Sequence, residues 1–163
     1  LLTQTVAYNK IYAEKGNEGK FASYNDIFKQ SAVLQANARQ MKFGLNKIKS
    51  GEVKMSVKID PSMISGGPRG IAANASKIAT ADEQTKFGFK VLESVLKTKD
   101  EMKGKVGALT SKISGLKPQE DFKGKEAASV GTVLDGIKQA QASLNSATSD
   151  LEESVKILGE LAK

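Results

Sequence analysis

The chain has 163 residues, 39% of them hydrophobic, with a net charge of +7 and no Cys, His or Trp. That length suits one modest domain, or an elongated helical assembly that buries an apolar stripe without a thick globular core. Without Cys there are no disulfides or thiolate metal sites, and without His the commonest general base and metal ligand are missing, so the expectation is a non-enzyme with no cofactor, metal or small-molecule substrate.

The charge is uneven. Residues 1–54 carry a net +5, residues 55–117 another +5, and residues 118–163 a net −3. A basic body with an acidic final segment fits a nucleic-acid binder, and equally fits helices that complement one another or an acidic partner. No run reaches the length of a membrane span, and the opening LLTQTVAYNKIY lacks the pattern of a Sec-type signal.

In chain order, residues 1–14 read as a short amphipathic helix carrying Leu1, Leu2, Val6, Tyr8, Ile11 and Tyr12, closed by a turn in EKGNEGK. Ser23, with Asp26 three residues on, has the form of an N-cap, and predicts a helix over 23–49. Its apolar or small residues Ile27, Ser31, Leu34, Ala38, Met41, Leu45 and Ile48 alternate steps of four and three, a seven-residue seam. VKMSVKID then alternates Val53, Met55, Val57 and Ile59 with polar residues, as a short strand or an extended connection would.

PSMISGGPRG holds two of the three Pro and reads as a linker over 55–70. MSVKIDPSMIS also has the look of a polypeptide start, so residues 1–54 and 55–163 are expected to be separable units, with a hairpin over 71–163 in the second. From Asp82 onward Leu92, Val95, Lys99, Met102, Val106, Leu109, Ile113 and Leu116 form a second seam. After Pro118, Val130, Ile137, Leu144, Leu151 and Leu158 fall seven apart, with Leu134, Gln141, Thr148, Val155 and Ala162 as the companion row.

Heptads of this kind suit long helices packed at a shallow angle. Gly115 and Lys117 suit a helix end, Pro118 a first turn, and Glu120 and Asp121 the positive end of the next helix dipole. Two helices joined so briefly run antiparallel, spanning roughly 81–116 and 119–163, with Phe122 and Gly124 at the tip. At about 25 cal/mol per Å² a two-helix seam barely offsets the entropy of ordering so many residues, so another helix is expected to complete it. The expected fold is all-α: a long antiparallel hairpin with additional N-terminal helices, resembling a four-helix bundle.

Phe122-Lys123-Gly124 at the turn between two heptad helices resembles the aromatic-X-Gly of the WXG-type (Esx-like) small proteins of bacterial type VII secretion, and of the small helical partners of LXG-domain toxins. The resemblance covers residues 55–163, with Phe where the family usually has Trp. It implies a secreted bacterial binding protein that forms a heteromeric helical complex with an effector or sister protein, cytoplasmic before a Sec-independent export. Leu92, Met102, Val106, Leu109 and Ile113 would face Val130, Leu134, Ile137, Leu144, Leu151 and Leu158, or a partner's seam. The family's aromatic-XXX-acidic export motif is missing after the second helix; Phe89 and Glu93 have its spacing, inside a predicted helix. Residues 1–54, with a seam of their own, could imitate a partner in cis.

Competing motifs are weaker. Ser94-Val95-Leu96-Lys97 has Ser-X-X-Lys spacing without the further groups that acylation needs. SGGPRG lacks the ending of a P-loop. The run Lys97, Lys99, Lys103, Lys105, Lys112 and Lys117 has no interleaved aromatics or Arg, so it reads as a solvated face before it reads as a nucleic-acid surface. The alternatives to a secretion partner are a structural coiled-coil or filament subunit and, behind it, a Lys-rich nucleic-acid binder; homo- and hetero-oligomers both stay open.

Overall fold

A computed structural model describes the backbone of residues 18–163 and the side chains of residues 21–163. The expected helix over 1–14 lies outside the described residues. The chain is an all-α bundle. In chain order its helices are α1 (Glu18–Lys49), the short α2 (Pro61–Ser65), α3 (Pro68–Ala72) and α4 (Ala75–Ala79), the long α5 (Glu83–Ser114), the single-turn α6 (Pro118–Asp121) and the long α7 (Ala127–Leu161). The long helices α1, α5 and α7 pack against one another.

The seam of α1 is buried over its whole length, from Ile27 through Ser31, Leu34, Ala38, Met41 and Leu45 to Ile48. Its start differs from the expectation. The helix already includes Glu18, so Ser23 is an interior residue and the last three residues of EKGNEGK are helical. A Ser cap contributes little beside the burial of Phe21 and Tyr24, which need that extra turn to reach the core.

On α5 the seam is also buried at Leu92, Val95, Met102, Val106, Leu109 and Ile113, with Lys99 partly exposed. On α7 the leading row is buried at Leu144, Leu151 and Leu158, and partly buried at Val130 and Ile137. The companion row is different from the one expected. Gln141, Thr148 and Val155 are exposed, whereas Val133, Ala140, Ala147 and Ser154, one residue earlier, are buried. At Ala140, Ala147 and Ser154 the small side chains let neighbouring backbones approach closely, while Val155 is left at the surface. The second hairpin helix is also not continuous from Gln119: α6 ends at Asp121, and α7 restarts at Ala127.

Among the described residues, contacts divide the chain into two compact units, one of residues up to Gln35 with Lys105–Ser146, the other Ala36–Gly104 with Ala147–Lys163. In the first, the end of α5 and the first half of α7 run antiparallel on either side of α6, and the first half of α1 lies against them.

In the second unit, Lys42 Nζ lies 2.7 Å from Asp150 Oδ1 and Lys49 Nζ 2.6 Å from Glu160 Oε2, so α1 and α7 run parallel there. The VKMSVKID segment is an extended connection, with Val53 buried and its polar alternates exposed. It is tied to the start of α5: the Ser56 N–H donates to Thr85 Oγ1 at 2.8 Å and the Lys54 N–H to Gln84 Oε1 at 2.9 Å. The stretch expected as a linker carries α2 and the start of α3, and it buries Met63. Among the described residues no helix is long and apolar enough to cross a membrane.

Candidate protein-binding site at the hairpin tip

The connection between α5 and α7 is built around one inward aromatic. Pro118 opens α6, whose four residues close on Phe122 with φ −116° and ψ 29°, a conformation that ends the helix. Gly124 follows at φ +84°, in the left-handed region where a Cβ is disfavoured, and the chain turns back there toward α7. The break frees the Phe122 ring from the helix direction and lets it point into the first unit, where it is 2% exposed.

Two rings of α1 meet it. Phe21 stacks on Phe122 with centroids 4.4 Å apart and planes 16° from parallel. Tyr24 approaches the same ring edge-on at 5.0 Å and 61°. The buried Tyr24 hydroxyl donates a 2.6 Å hydrogen bond to Asp121 Oδ2, the residue before Phe122, so the phenol is satisfied rather than stranded. Phe28, one turn further along α1, makes an edge contact with Tyr24 at 6.4 Å. It also lies over Gly136 of α7, where a Cβ would stand 2.5 Å from Phe28 Cε2. Val133 completes the buried cluster, with Leu116, Val130 and Ile137 packed around it.

Of the residues singled out from sequence, Phe122 and Gly124 lie in the connection as described, and Ile113, Val130 and Ile137 line the first unit beside them. Val106, Leu109 and Leu144 are buried in that unit, while Leu134 is only partly buried beside the displaced row. Leu92, Met102, Leu151 and Leu158 are buried in the second unit. Phe89 is 1% exposed in the second turn of α5, and Glu93 is paired with Lys97 at 2.7 Å. Lys99 pairs within α5 as well, with Asp100 at 3.1 Å. Ser94 and Lys97 are both exposed on that helix.

Sequence reasoning missed Phe21, Tyr24 and Val133, and named Asp121 only as an acidic residue at the start of a helix. The signal for Tyr24 was present, since it continues the three-four alternation of α1 one step before Ile27. Nothing local marks its pairing with Asp121, which lies 97 residues away in the chain.

The tip thus brings together, within one chain, aromatic rings, one part-buried phenol–carboxylate hydrogen bond and a glycine on which a ring lies. Comparison with protein-family models, curated proteins and solved structures gives no match.

Proposed function

We propose that the chain is a non-enzymatic helical binding protein of the WXG-like class, which forms a heteromeric helical complex with an effector or sister protein and supports its export by bacterial type VII secretion. One observation carries the reading: the aromatic of the aromatic-X-Gly turn lies buried under two rings of a separate helix, Phe21 and Tyr24. A tip aromatic that served only as a staple would need its own hairpin neighbours alone. Here α1 takes the place that a partner's helix would take, and Phe122 is the residue through which tip and helix meet.

Such a protein is held in the cytoplasm before export and leaves by a Sec-independent route. The test is expression of the full chain in a bacterium with a working type VII apparatus and in the same strain lacking its secretion ATPase. The proposal expects the chain in the medium of the first strain only, accompanied at fixed stoichiometry by a helical protein. Retention in the cytoplasm of both strains, or equal release from both, would remove it.

A further inference from the structure

We infer that the tip of the hairpin is a receptor for one kind of helix, an amphipathic one with aromatic side chains at positions i, i+3 and i+7 and a phenol at i+3, and that α1 is its tethered ligand. The inference rests on the binding-protein reading above and names the helix that such a site fits.

On α1 the three rings are Phe21, Tyr24 and Phe28, and steps of three and four place them on one face. The hairpin meets each ring with a separate feature. Phe122 receives Phe21 face to face at 4.4 Å. Asp121 accepts the Tyr24 hydroxyl at 2.6 Å. Gly136 leaves the room that the Phe28 ring occupies.

Phe122 also packs against the hairpin's own Leu116, Val130 and Val133, but its stacking face and the Asp121 carboxylate are met from α1. A glycine inside a long helix is disfavoured relative to alanine, and Gly136 stands ten residues into α7 with no turn to make. A large aromatic at a break between helices exposes its surface unless another element covers it. Both positions are met by rings of α1, which is the fit that a helix with that spacing of aromatics makes.

The turn at Ser50, Gly51 and Glu52 is exposed and leaves α1 with Gly51 at φ +80°. A protease site inserted there allows the folded full chain to be cut after purification. The cut chain is then dissociated in denaturant and refolded with a fluorescent peptide of residues 1–49, in competition with unlabelled variants of the same peptide. Incorporation of the labelled peptide into a helical one-to-one complex is the expected result.

The Tyr24→Phe peptide should compete about tenfold less well, the usual effect of removing a hydrogen bond to a charged acceptor. A Gly136→Ala hairpin should bind the wild-type peptide more weakly and recover with one carrying Phe28→Ala, since alanine favours α7 and only the ring has to move. Failure of the cut chain to reassemble, equal competition by the Tyr24→Phe peptide, or absence of the Phe28→Ala rescue would each overturn the inference. Reassembly with the expected ranking, from a chain that stays in the cytoplasm of the secreting strain, would leave the receptor standing and remove only the export reading.

Discussion

Phe122 does two things at once: it ends α6 and it fills the centre of an aromatic cluster. Replacing it by Ala removes the stacking surface of Phe21 and the edge contact of Tyr24 together. Large-to-small changes at buried aromatics cost about 3–5 kcal/mol, so Phe122→Ala should lower the urea midpoint by that much stability with the m-value unchanged. Gly124 acts through the backbone alone, since no atom lies near enough to meet a Cβ there. At φ +84° a Gly124→Ala change should destabilise by about 1 kcal/mol. A loss as large as that of Phe122→Ala would mean that the glycine also holds a contact.

At the scale of the element, the rows of α7 decide which substitutions are felt. Ala147 and Ser154 are fully buried, and the Ser154 hydroxyl donates back to the Asp150 carbonyl at 2.8 Å. Ala147→Leu therefore overpacks the interface and should cost about 1–3 kcal/mol by thermal or denaturant unfolding. Val155, 54% exposed, belongs to the row that a hydropathy reading favours. Val155→Ser should change stability by no more than about 0.5 kcal/mol. A reversed order for these two variants would put the sequence-derived row back in the core.

The contrast shows what the sequence makes legible. On α1 and α5 most seam positions carry large apolar residues among polar ones, so period alone places Leu34, Leu45, Leu92 and Leu109 inside. On α7 the leading row is legible for the same reason. Its companion row is not, because Ala140, Ala147 and Ser154 carry little hydrophobic signal, and what selects them is the closeness of a neighbouring helix. Ser23 misleads in the same way, as a local cap overridden by tertiary burial of Phe21 and Tyr24. The partners of Phe122 were hidden because stacking across about a hundred residues of chain has no local mark.

The start of α5 couples element stability to pH. The Asp82 carboxyl is held below the usual carboxylate range, first by the Thr85 hydroxyl and then by the Thr85 backbone N–H, with a smaller contribution from Ser56. Asp60 at the start of α2 is lowered likewise by the Ser62 N–H and hydroxyl, and Glu160 by its hydrogen bond from Lys49. A carboxyl whose folded pKa is depressed adds stability above its unfolded value, about pH 4, and loses it as pH falls through the folded value. The melting temperature should therefore drop as the pH goes from 5 toward 2. Asp82→Asn keeps a capping oxygen without a titrating proton, so its curve should fall less steeply over that range.

At the scale of the whole molecule, the boundaries of the two contact units fall inside helices: between 35 and 36 in α1, 104 and 105 in α5, and 146 and 147 in α7. Each of these helices is one hydrogen-bonded ladder, and melting it on one side of a boundary leaves a frayed end on the other. Helix formation is cooperative with a costly nucleus, so the units should not unfold independently. Phe122→Ala, which touches only the first unit, provides the test. In native-state hydrogen exchange the slowest amides of residues 38–48 and 86–102, all in the second unit, should lose about a hundredfold protection or more, the equivalent of the 3 kcal/mol or so that the core loses. Their protection should fall in step with that of residues 106–113 in the first unit. Unchanged protection in the second unit would instead make it a separate folding unit, stable without the aromatic tip, and local opening of the tip would then be possible without global unfolding.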